Sequence, residues 1–123
     1  MRRVLVVDDD EDILEVAQMS LEVVGGWTVT TAGDGQQALD VARREQPDAI
    51  VMDAMMPVMD GPTAAVALRA DPATAGIPVV LLTASVQPAE RAALAELPVA
   101  GVLGKPFDPM LLPAELSRLL GWS

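Results

Sequence analysis

Four consecutive apolar residues, Ala49-Ile50-Val51-Met52, run without a polar break into Asp53, and that pattern restricts the folds open to the chain. A strand with one wet face would alternate apolar and polar residues. A short unbroken run instead fits a strand covered on both faces. Residues 4–7, Val-Leu-Val-Val, form a second such run and stop at Asp8. Strands buried on both sides need helices above and below them, which means parallel strands joined by helical crossovers. A carboxylate at the end of such a strand is costly to bury unless something pairs with it. It also stands at the carboxyl edge, where open α/β sheets form their clefts. Taken alone, Asp53 reads more readily as an aspartate that caps its own turn.

The remaining sequence repeats the pattern. Residues 4–7 are assigned to β1. The periodicity through Ile13, Leu14, Val16, Ala17, Leu21 and Val24 gives α1, closed by Gly25-Gly26. β2 is expected over 27–31. Asp34-Gly35 caps α2, which runs through Ala38, Leu39, Val41 and Ala42 and is stopped by Pro47. β3 starts at Ala49. After a loop carrying Pro57 and Asp60-Gly61, α3 is expected over 62–70, opened by Pro62. β4 is placed at 77–82, α4 at 88–97 between Pro88 and Pro98, and β5 at 99–103. α5 is placed at 108–120, with Pro113 forcing either a kink or a start near that residue. This alternation predicts an α/β fold: one domain over 1–123 built on a single doubly wound, five-stranded parallel sheet, (βα)5.

Eighteen acids against eight bases give a net charge of −10. That balance argues against a nucleic-acid surface and against binding to an anionic membrane. The chain has no cysteine and no histidine, which removes disulfides, thiolate metal sites, Ser-His and Cys-His catalysis and the usual zinc ligands. Met1-Arg2-Arg3 followed by residues 4–7 imitates the start of a signal peptide, but Asp8 arrives too early for an h-region or a membrane span. A cytoplasmic protein is the expectation.

Four polar features fall at the carboxyl ends of four expected strands: Asp8-Asp9 after β1, Asp53 at β3, Thr83 at β4 and Lys105 after β5. A parallel sheet puts those ends on one edge. Each has a plain reading: caps and dipole partners for Asp8 to Asp10, a cap for Thr83, a solvated surface residue for Lys105. Lys105 is nevertheless the only lysine in the chain. Carboxylates without histidine or cysteine suit a hard cation, Mg²⁺ or Mn²⁺. A carboxylate can attack phosphorus and form an acyl phosphate, with a cation, a lysine, a hydroxyl and backbone N–H groups neutralising the phosphoryl oxygens.

On Val6-Val7-Asp8-Asp9, on Asp53-Ala54-Met55-Met56-Pro57-Val58-Met59-Asp60-Gly61, on Thr83-Ala84 and on Lys105-Pro106-Phe107, with the spacing between them, the chain resembles a response-regulator receiver domain. The resemblance covers nearly the full length and points to the chemotaxis-regulator type without an output domain. It implies a flavodoxin-like fold with strand order 2-1-3-4-5. Asp53 would accept a phosphoryl group from the phosphohistidine of a histidine kinase or histidine phosphotransfer protein. Mg²⁺ would sit on Asp9, Asp53 and the Met55 carbonyl, with Asp8 holding it through water. Thr83 and Lys105 would contact the phosphoryl oxygens, Met55 and Ser85 would tune hydrolysis, and a cis bond would precede Pro106. A monomer is expected, with a dimer as the alternative, and the resemblance implies a downstream protein target on the α4-β5-α5 face.

Three positions depart from the family pattern. Val102 stands where the family usually carries a switching aromatic ring, and Ala100 and Gly101 replace acids used in α4-β5-α5 dimers. A haloacid-dehalogenase-type phosphatase would need an acid where Met55 stands, and a flavodoxin phosphate loop would not carry three acids after β1. The rival of a different class is a receiver-shaped interaction module that is never phosphorylated. Met52, Met55, Met56 and Met59 are read as core and loop filling rather than as a soft-metal site.

Overall fold

The computed structural model describes residues 2–122. Five strands, β1 (Arg3–Val7), β2 (Thr28–Ala32), β3 (Ala49–Asp53), β4 (Val79–Thr83) and β5 (Gly101–Gly104), form one parallel sheet in the order β2-β1-β3-β4-β5. The helices are α1 (Glu11–Met19), α2 (Gly35–Glu45), α3 (Gly61–Ala70), α4 (Pro88–Ala95) and α5 (Leu112–Leu120).

The pleat divides the apolar strand residues between two cores. Leu5, Val7, Ile50, Met52 and Leu81 pack against Ala38, Leu39 and Ala42 of α2 and Ala64, Ala65 and Leu68 of α3. Val4, Val6, Val51, Val80 and Leu82 pack on the other face against Ala17 of α1, Leu21, and Leu112 and Leu116 of α5. Every residue of β3 and β4 is buried, as unbroken apolar runs require.

Several boundaries differ from the expected ones for local reasons. α1 continues not as an α-helix but as a π-helical turn over Ser20–Val24, closed by the Gly25 N–H bonding the Ser20 carbonyl at 3.2 Å. Within this turn the Ser20 hydroxyl donates to the Pro109 carbonyl, tying α1 to the segment before α5. β2 lies one residue later than expected. α2 ends at Glu45, and its cap Gln46, just before Pro47, adopts a left-handed conformation with φ 49°. β4 begins at Val79, after the proline that lacks an N–H. β5 starts at Gly101, because the Val99 N–H is already spent on the Leu97 carbonyl at 2.7 Å. Of the two outcomes posed by Pro113, the structure takes the late start. Pro113 occupies the first turn of α5, and Asp108 closes a separate turn by accepting the Met110 N–H at 2.9 Å.

Met52 is fully buried, and Met56 and Met59 pack against the core. Met55 does not: it is 79% exposed, so it fills no gap. Among the described residues, no helix is long and apolar enough to cross a membrane.

Candidate functional site

The carboxyl edge of the sheet gathers the polar strand ends. β1 delivers Asp8, whose N–H continues the ladder by donating to the Ala32 carbonyl at 3.1 Å. β3 ends on Asp53, beside Leu82 of β4, and the next N–H, of Ala54, donates to the Leu82 carbonyl at 2.8 Å. β4 ends on Thr83. Its carbonyl accepts the Lys105 N–H at 2.8 Å, so the sheet itself positions the lysine backbone. The Lys105–Pro106 bond is cis.

Asp8, Asp53 and Thr83 are all buried, with 1%, 6% and 5% exposure, whereas Asp9 is exposed. Lys105 Nζ donates to Asp8 Oδ2 at 3.0 Å and stands 3.4 Å from Asp53 Oδ1. Asp8 Oδ1 accepts the Asp10 N–H at 2.9 Å. The capping role considered for the acid run belongs to Asp10, which caps α1 by accepting the Asp12 N–H at 2.9 Å. Asp8, Asp9 and Asp53 each offer a carboxylate oxygen, all lying within 4.8 Å of one another. This all-oxygen set, with two of its carboxylates buried, fits a hard divalent cation.

Burial, and then the charge of Asp8, push the Asp53 carboxyl above the ordinary carboxylate range, against the opposing pull of Lys105 and the Met55 N–H. Burial works to lower the Lys105 pKa, but its bonds and attractions to Asp8 and Asp53 prevail and raise it. The lysine is thus held charged between two acids.

Three features of the site escaped the sequence reading. The sequence marks Gly61 only as half of a turn pair, yet a β-carbon there would stand 2.5 Å from the Asp53 carbonyl oxygen and 2.9 Å from Ala54 Cα. Only glycine lets α3 start so close to the strand end, where the Gly61 N–H donates to the Ala54 carbonyl at 3.0 Å. Val58 adopts φ 68°, an unusual conformation for a β-branched residue. Arg91 of α4 reaches back to the Ser85 carbonyl at 2.9 Å, and no local pattern in the sequence announces that contact.

The model of the response regulator receiver domain family matches residues 4–117. Among characterised relatives, the transcriptional regulatory protein PrrA of Mycobacterium tuberculosis is 42% identical over 118 residues, covering 96% of this chain and 49% of that protein. The response regulator PleD of Caulobacter vibrioides is 41% identical over 117 residues, covering 95% of this chain and 26% of PleD. The chain therefore spans about half the length, or less, of these relatives. Among solved structures, the chemotaxis response regulator CheY4 of Vibrio cholerae is 34% identical, with a TM-score of 0.85 over 97% of this chain and 98% of that one. The receiver domain of sensor histidine kinase PA1611 from Pseudomonas aeruginosa, described with a magnesium ion coordinated in its active-site cleft, is 32% identical. Its TM-score is 0.86, over 98% of both chains.

Proposed function

Because the chain belongs to the response-regulator receiver family, we propose that Asp53 is its phosphoacceptor, taking a phosphoryl group from a phosphohistidine on a histidine kinase or histidine phosphotransfer protein. The observation that carries this reading is the Asp53 carboxylate at the end of β3, with Lys105 Nζ 3.4 Å away and Asp8 and Asp9 oxygens within 4.8 Å.

In this reading an Asp53 oxygen attacks phosphorus in line with the bond to the donor imidazole. The new bond is O–P, the bond broken is P–N, and its electron pair stays on the imidazole nitrogen. Lys105 supplies a fixed positive charge to the transferring oxygens and counters Asp8. Thr83 offers a hydroxyl proton from the neighbouring strand end. Asp8, Asp9, Asp53 and the Met55 carbonyl would hold Mg²⁺ or Mn²⁺, which when bound neutralises charge on the phosphoryl group. The exposed Met55 and the nearby Ser85 would set water access to the acyl phosphate, and the α4-β5-α5 face would present the changed state to a downstream target.

The test is intact mass after incubation with acetyl phosphate and Mg²⁺. The wild type should gain about 80 Da, one phosphoryl group, and lose that gain with EDTA or with Asp53→Ala. A mass that never changes would leave the unphosphorylated interaction module as the reading, and uptake by Asp53→Ala would move the acceptor elsewhere.

A further inference from the structure

α4 is weakly held. None of its residues is buried, and Gln87 at its N-terminus contributes no side-chain cap. Leu94 packs only partly against the core. Arg91 ties α4 to the loop before it: its Nε donates to the Ser85 carbonyl at 2.9 Å. The rest of its guanidinium lies against Gly104, so closely that a β-carbon at Gly104 would collide with a terminal nitrogen of Arg91. Arg91, Val102 and Phe107 line the same cleft, and the guanidinium takes space that no ring at Val102 contests. On its other side Ser85 leads back to the site, since its N–H donates to Thr83 Oγ1 at 3.0 Å. A continuous chain of bonds thus runs from the Thr83 hydroxyl, through both backbone groups of Ser85, to α4.

We propose that Arg91 is a positioning residue that latches α4 through the Ser85 carbonyl, and that phosphorylation of Asp53 releases the latch. The inference rests on the reading of Asp53 above. When the Thr83 hydroxyl turns toward a phosphoryl oxygen, the Ser85 N–H follows or loses its acceptor, and the Ser85 carbonyl moves with it. Arg91 then gives up its bond, the guanidinium leaves Gly104 for water, and α4 shifts at little cost because none of its residues is fully buried. A lysine could not replace Arg91. Only a guanidinium donates from Nε while its terminal nitrogens lie on the glycine.

The experiment follows the Arg91 Nε–Hε resonance in ¹⁵N-labelled protein before and after acetyl phosphate with Mg²⁺, with intact mass read on the same samples. Solvent exchange of Hε should rise about tenfold on phosphorylation, the loss expected of one hydrogen bond. Before phosphorylation, Arg91→Ala and Arg91→Lys should move α4 amide resonances toward their phosphorylated positions. Gly104→Ala should do the same by displacing the guanidinium without deleting it, and so serves if either Arg91 variant folds poorly. If the mass rises while Hε stays equally protected, or the variants shift α4 amides in an unrelated direction, the latch is wrong and Asp53 stands. If the mass does not change, both readings fall together.

Discussion

Lys105 and Asp8 stand 97 residues apart in the chain and 3.0 Å apart in the fold, ammonium to Oδ2. That bond, with the 3.4 Å approach to Asp53, makes the lysine the counter-charge for two buried acids. Lys105→Met should therefore destabilise the protein at neutral pH. The loss should fall between the roughly 0–1 kcal/mol of an exposed pair and the roughly 3–5 kcal/mol of breaking a buried one. Removing the lysine also removes a pull that lowers the Asp53 pKa, so the deficit should grow as pH rises through that raised value. Urea midpoints at neutral pH and at the ordinary carboxylate pKa check this; an equal deficit at both would mean the lysine acts only by packing.

A second expectation concerns Asp53 without metal. Its carboxyl is held above the ordinary range, so the folded protein keeps that proton to higher pH than the unfolded chain does. Below the unfolded value Asp53 costs no stability; the cost develops as pH rises through the folded value and is complete above it. Asp53→Asn should accordingly be more stable than wild type at neutral pH without Mg²⁺, and no more stable in acid. Magnesium at ten times its Kd should stabilise the wild type by about 1.4 kcal/mol and the variant far less. Thermal melts in Mg²⁺ and in NaCl of matched ionic strength separate ion binding from screening. A wild-type midpoint blind to the difference would sink the cation site.

The fold was legible because two apolar runs, 4–7 and 49–52, are too short and too continuous for anything but covered strands, and each stops on an acid. The placing of Asp8, Asp53, Thr83 and Lys105 on one edge followed from parallel topology, since strand ends share that edge. What stayed hidden depends on contacts between segments distant in sequence. Gly61 is required by the approach of α3 to the Asp53 carbonyl, and Gly104 by a guanidinium from another element. The π-helical turn at Ser20–Val24 was hidden for the same reason. Its Ser20 hydroxyl bonds the Pro109 carbonyl, and Pro113 of α5 lies beside its closing Gly25, both from the far end of the chain.

Asp60 caps α3 by accepting the Thr63 N–H at 2.8 Å, and that bond, with one from the Thr63 hydroxyl, holds its carboxyl below the ordinary range. Its stabilising contribution is present above the unfolded carboxylate pKa and is lost as pH falls through the lower folded value. Asp60→Ala should cost about 1 kcal/mol at neutral pH, and the gap to wild type should narrow in acid. Asp60→Asn keeps an acceptor and should lose little. Urea titrations of the three proteins across the acid range test the assignment; a gap independent of pH would remove the charge from the explanation.

Val58 offers the sharpest test of stored strain. It sits at φ 68° in the loop between Asp53 and α3, where the Met59 N–H turns back to the Pro57 carbonyl at 2.8 Å. Its side chain is 83% exposed, so it gains almost no burial in return. The left-handed region costs a residue with a β-carbon roughly 1–2 kcal/mol, and glycine gives back part of that through the unfolded chain. Val58→Gly should therefore stabilise the protein by about 0.5–1 kcal/mol, a rise of a few degrees in Tm. Gln46, at φ 49°, is the control. Its side-chain nitrogen donates to the carbonyls of Ala42, Arg43 and Ala73, at 3.3, 3.2 and 2.9 Å. Gln46→Gly relieves the same backbone strain but releases that clamp between α2 and the segment after α3, so it should be neutral or destabilising. If both glycine variants gain equally, the clamp is worth nothing; if Val58→Gly loses stability, the loop at the site is held by the valine itself rather than against it.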